Sequence, residues 1–121
     1  MVADVTGVTK QLSTAGKAGV LDELLLSVVD ETLKQVFREA GAKVIYDYLG
    51  NKFHLEREEI AKKPEVFSVG LEELLVSARP VIENMIIKSL YSKLELKFAK
   101  KKGYAFSDYL KELREKCGVE W

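Results

Sequence analysis

Apolar residues recur at three- and four-residue steps along most of the chain, and this spacing predicts helices. Leu21, Leu24, Leu25, Val28, Thr32, Val36 and Phe37 line one face, with Asp22, Glu23, Asp30, Glu31, Lys34 and Arg38 opposite. Acids in the first turns and Arg38 late suit the helix dipole, and Gly41 is the expected stop. A second helix is expected through Val44, Ile45, Tyr48, Leu49 and Phe53, then a charged loop or short polar helix from His54 to Lys63. Pro64 disfavours helix at Lys63, so a third helix runs from Pro64 or Ser68 to Val76 on Val66, Phe67, Leu71, Leu74 and Leu75. Pro80, a first-turn proline, opens a fourth that reaches about Phe98. Gly103 interrupts, and Ser107 is the expected N-cap of a last helix carried to Cys117 by Tyr109, Leu110 and Leu113. No segment alternates with period two beside turn signals. The fold class is therefore all-α, a compact bundle of about five helices.

Residues 1–20 stand apart, because Gly7, Gly16 and Gly19 cut any helical period. They read as a flexible tail, or as a docking segment presenting Val2, Val5, Val8 and Leu12, ahead of one helical domain at 21–117 and a short tail at 118–121. A faint echo runs through that domain. Phe67-Ser68, with Leu71, Glu73 and Leu74 following, returns as Phe106-Ser107 with Leu110, Glu112 and Leu113, so two pseudo-repeated helical hairpins are one expectation.

Composition narrows the classes of function. The 121 residues carry 19 basic and 19 acidic side chains, so no whole-molecule attraction to nucleic acid or acidic membrane is expected. Lys and Glu are abundant while Asn and Gln are scarce, the usage of heat-adapted proteins. No apolar run approaches the roughly 18 residues of a spanning helix, and the N-terminus lacks a secretory pattern, so a cytoplasmic location is expected. The single cysteine, Cys117, and single histidine, His54, exclude a disulfide framework and the Cys/His zinc sets. No Gly-rich phosphate loop occurs, and a hydrolase triad would have to use His54, which reads as a solvent-facing side chain near a helix end. Glu56, Glu58 and Glu59 alternate with Arg57, Lys62 and Lys63 in the manner of a solvated, ion-paired face. Neither an enzymatic centre nor a cofactor or metal site is expected.

The stretches GAKVIYDYL, KKPEVF, VIENMIIKSLYSKL and KKGYAFSDYLKEL, in that order, resemble the Nitrosopumilus-type output domain, a family of small archaeal helical domains, over roughly residues 33–116. The resemblance implies an archaeal cytoplasmic protein placed downstream of signalling. It transfers no catalytic residue, ligand or partner.

Two surfaces stand out. On the helix from Pro80, apolar side chains sweep about 280° at 100° per residue, wider than an ordinary surface helix. Such a helix is either the central one of a monomer or meets a second chain with one stripe, and the favoured reading is a homodimer through Ile87, Tyr91, Leu94 and Phe98, with Trp121 docking nearby. Glu83 interrupts the arc and is expected to reach water in the first turn. The second surface is basic: Lys97, Lys100, Lys101 and Lys102, with Phe98, Tyr104 and Phe106 interleaved, could contact phosphates and stack on single-stranded bases. A helix-turn-helix spacing at 68–76 and 80 onward lacks exposed basic residues at its reading end. The sequence reads as a non-enzymatic protein-interaction or signalling-output module, with nucleic-acid association through Lys97–Lys102 as the alternative.

Overall fold

Helix α1 spans Thr14–Phe53, but it is not straight: Arg38 has φ 67° and ψ 178°. The computed structural model describes residues 14–116. In a continuous helix Asp30 and Tyr46 would stand about 24 Å apart along the axis. Instead the Tyr46 hydroxyl donates to Asp30 Oδ1 at 3.0 Å, so two helical arms fold back on each other about Arg38. The expected stop at Gly41 is thus displaced by three residues. Gly41 has a different role, because a Cβ there would sit 2.6 Å from Phe37 Cβ. The helix also starts earlier than Leu21, so Gly16 and Gly19 lie within it.

Buried Leu25, Val28, Val29 and Leu33 on the first arm and Ile45 and Leu49 on the second form the core side of this hairpin. Asp30 ties its base: Lys34 Nζ lies at 3.0 Å and Arg57 Nη2 at 2.7 Å, and the Arg57 guanidinium covers the Tyr46 ring at 4.7 Å. Burial raises the Asp30 pKa, but the bonds from Lys34 and Tyr46 and the charge of Arg57 outweigh it and hold the carboxyl below its usual range. His54 closes α1 in the left-handed region (φ 53°) and is exposed, as the sequence suggests. A 3-10 turn at Arg57–Glu59 leads to buried Ile60 and Ala61.

Helix α2 spans Pro64–Leu75, opened by the proline at its first position. Gly70 lets it approach the second arm of α1 closely, for a Cβ at that position would meet Leu49 Cδ2 at 2.2 Å. Lys52 and Tyr48 of α1 both reach Glu73, at 2.8 and 2.9 Å. After Val76, whose φ of 49° is unusual for a β-branched residue, a 3-10 turn at Val76–Ala78 runs into α3, Arg79–Lys93.

Helix α3 packs against α1, α2 and α4 (Phe106–Lys116). Much of its wide apolar arc is covered within the chain, with Ile82, Ile86, Ile87, Leu90 and Tyr91 all buried, while Val81 is exposed. The helix ends at Lys93 rather than near Phe98. Glu95 takes φ 57°, and the amides of Glu95 and Leu96 bond the carbonyls of Ser92 and Tyr91 at 3.0 and 2.9 Å, a Schellman motif without glycine. The chain then turns back, and the Phe98 ring packs 5.3 Å from Tyr91 and 5.6 Å from Tyr109. Of the expected interface stripe, Ile87 and Tyr91 are buried within the chain, whereas Leu94 and Phe98 are half-buried against the core. Trp121 and Cys117, like the Val2–Leu12 stripe, lie outside the described residues.

At α4, Ser107 falls in the first turn instead of capping it. Asp108 does the capping, its Oδ2 accepting the Ala105 N–H at 2.8 Å while the Asp108 amide donates to the Ala105 carbonyl at 3.0 Å. Tyr109, Leu110 and Leu113 are buried as the pattern implies. Arg114 is buried too, donating to the Ala61 carbonyl at 3.0 Å and lying 2.8 Å from Asp22 of α1. The fold is all-helical, with no strand among the described residues: the two arms of α1 joined at the Arg38 corner, then α2, α3 and α4. The sequence echo sets Phe67-Ser68 inside α2 but Phe106-Ser107 at the start of α4, and the two phenylalanines pack on each other at 5.8 Å.

Candidate docking groove

Pro80 starts α3 close to the segment that returns after Glu95, and a groove of about 540 Å³ lies between them. Val81, Met85, Tyr104 and Tyr109 give it apolar surface, and Arg79, Lys88 and Lys100 bring positive charge. Lys88 and Lys100 are exposed and Val81 is 60% exposed. Val76, just before α3, is 61% exposed. Valines this open on a chain with a well-filled core are the sort of surface that a partner's side chains can cover.

The walls are fixed by carboxylates. Glu83, expected to reach water, is 6% exposed: Arg79 Nη1 lies 2.6 Å from it and the Ser68 hydroxyl of α2 donates to it. Arg79 Nε also meets Glu72 at 2.5 Å, so its charge is largely spent on holding α2 to α3. The opposite wall hangs on Glu112. It accepts from Tyr91 at 3.2 Å and from Tyr104 at 3.4 Å, and it pairs with Lys101. The bond from Lys101 keeps the Glu112 carboxyl below its usual range, and the same bond holds the Lys101 ammonium above its own. Burial, then the Glu112 bond, pushes the Tyr91 phenol up to about 12. Tyr109 receives the Lys101 amide at 2.8 Å, and a turn from Lys101 to Tyr104 closes with Gly103 at φ 83°.

This arrangement divides the basic segment. Lys100 lines the groove, Lys101 is turned onto Glu112, and Lys97 and Lys102 are exposed away from the lining. Arg79 and Lys88 stand 21 and 12 residues before Lys100 in the sequence, yet they line the same groove. The only sequence signal for the returning segment is the alternation Leu94-Glu95-Leu96-Lys97-Phe98, a short period-two stretch inside what reads as a helix. Chemically the groove offers apolar contact and positive charge, which is binding chemistry. Among the described residues no group of three or more His, Cys, Asp or Glu is placed to hold a metal ion, and no helix is long and apolar enough to cross a membrane. No family model, curated protein or solved structure matches this chain.

Proposed function

We propose that the chain is a non-enzymatic protein-interaction module, of the signalling-output kind that its sequence resembles, in an archaeal-type cytoplasmic protein. The observation that carries this reading is the groove itself, where exposed Val81 lies beside Lys88 and Lys100. Its ligand chemistry is an acidic segment of a partner protein bearing apolar side chains. Apolar residues would cover Val81 and Met85, and carboxylates would meet the two lysines. A nucleic-acid strand suits the groove less well. Phosphates have no use for exposed Val81, and Glu112 already pairs with Lys101. The alternative keeps one specific support, the exposed Lys97, Lys100 and Lys102 near a Tyr104 ring that is 38% exposed.

Fluorescence anisotropy with labelled acidic amphipathic peptides, and with a single-stranded oligonucleotide, tests both at about 150 mM salt. The expected result is peptide binding that weakens at least about tenfold in Lys88→Glu/Lys100→Glu and is indifferent to Lys97→Gln/Lys102→Gln. Oligonucleotide binding lost in the second variant would favour the alternative. Peptide binding unchanged by the first variant would overturn the reading.

A further inference from the structure

The α1 corner is built from residues that do not favour a corner. Arg38 occupies a region of φ and ψ that is essentially reserved for glycine, and its side chain is exposed. Its neighbours Glu39 and Ala40 are good helix formers, and neither Ser, Thr, Asp nor Asn stands at 38–41 to cap the second arm. The fold-back also brings position 41 abnormally near Phe37: a Cβ there would lie 2.6 Å from Phe37 Cβ, whereas residues four apart in a continuous helix keep these atoms about 5–6 Å apart. Straightening α1 would relieve all of these features together. What holds the corner shut is the packing of Leu21 and Leu25 of the first arm beside Leu90, Leu110 and Leu113, the pairing of Asp22 with Arg114 and of Glu31 with Lys93, and the Asp30 contacts to Tyr46 and Arg57. A second copy of the same chain can supply every one of those contacts.

We propose that this chain forms a homodimer by exchange of its first helical arm, with α1 straightened through Arg38 in each copy. Leu25, Val28, Val29 and Leu33 of one chain would then pack on the α3 of the other, and Asp30 would meet the other chain's Tyr46 and Arg57. An independent observation points to the same partner. Val36, Ala40 and Val44 are all exposed, the valines 41% and 60%. Their four-residue spacing aligns them on one face only when the helix is continuous, and the two hinges of an exchanged dimer meet about its twofold axis. The open helix thereby gains an apolar stripe that the closed corner scatters. No residue of the exchanged arm lines the docking groove, so this association stands apart from the proposed function.

The test is refolding over a range of concentrations, followed by size-exclusion chromatography with multi-angle light scattering and small-angle X-ray scattering. The native chain should give a dimer that increases with refolding concentration, persists after dilution, and contains a rod of about 60 Å, the length of a 40-residue helix. Gly41→Ala, which obstructs the corner and suits the helix, should raise the dimer-to-monomer ratio about tenfold. Arg38→Gly, which eases the corner, should lower it by a similar factor, and Val44→Asp should lower it with the monomer intact. Should Gly41→Ala not fold, Arg38→Gly and Val44→Asp still decide. A folded Gly41→Ala that stays monomeric, dimer fractions that ignore Arg38→Gly and Val44→Asp, or a dimer that dissociates at once on dilution would each overturn the proposal.

Discussion

Replacing Arg38 by glycine should stabilise the monomer, the reverse of what glycine does in an ordinary helix. Arg38 sits at φ 67° and ψ 178°, where a Cβ is in steric conflict with the backbone. Such residues carry about 1–3 kcal/mol of strain, which glycine removes. Against this stands the greater freedom that glycine gives the unfolded chain, about 0.5–1 kcal/mol. The exposed Arg38 side chain contributes little else. The net expectation is a gain of about 1 kcal/mol, visible as a Tm rise of about 4 °C or more in a domain of this size. Urea unfolding at low micromolar concentration, followed by circular dichroism, would show the midpoint rise by about 0.5 M if the slope is near 2 kcal/mol/M. Arg38→Ala is the control, since it keeps the Cβ and should change stability little. A loss of about 1 kcal/mol in Arg38→Gly, the usual result inside a continuous helix, would refute the corner and everything argued from it.

Gly70→Ala should destabilise the chain by about 1–2 kcal/mol in the same assay, because the new Cβ would fall 2.2 Å from the side-chain tip of Leu49 in a filled core. A variant as stable as the native chain would show that Leu49 swings aside freely. Stability should also depend on pH at both ends. Asp30, Glu59, Glu73 and Glu112 have lowered folded pKa values, so their contribution is complete above their ordinary values, 3.8 for the aspartate and 4.5 for the glutamates, and is lost as the pH falls through the lowered ones. Tyr91 is raised, so stability should fall as the pH climbs from 10 towards about 12. Thermal melts from pH 2 to 12 check both limbs, and a flat acid limb would contradict the carboxylate network. Ion pairs such as Arg79–Glu83 and Arg57–Asp30, with the Lys- and Glu-rich composition, lead us to expect a melting midpoint above the roughly 45–65 °C of mesophilic domains. Calorimetry within that range would count against heat adaptation.

The sequence by itself determined what depends on near neighbours. Three- and four-residue spacing marked the all-helical class and much of the core face of each α1 arm, although it placed exposed Val36 and Val44 on those faces and left out buried Val29 and Leu33. Pro64 marked the start of α2 within a residue, and Pro80 that of α3. Tyr109, Leu110 and Leu113 announced α4 because its buried face follows the helical period. Tertiary structure decided the rest, and in each case against local preference. Phe37-Arg38-Glu39-Ala40 reads as uninterrupted helix, and only the burial of Leu25, Val28, Val29 and Leu33 against elements far along the chain repays a left-handed arginine. Leu94 and Phe98 fit a helical stripe as well as they fit an extended return, and the aromatic contacts of Phe98 with Tyr91 and Tyr109 chose the return. Glu83 looks like a first-turn acid facing water until Ser68 arrives from α2 to bury it. The groove has no local signature at all, because Val81 and Lys88 meet Lys100 only after the chain has turned at Glu95. Periodicity records which side of a helix is apolar; which apolar surface covers it is a long-range choice, made by packing.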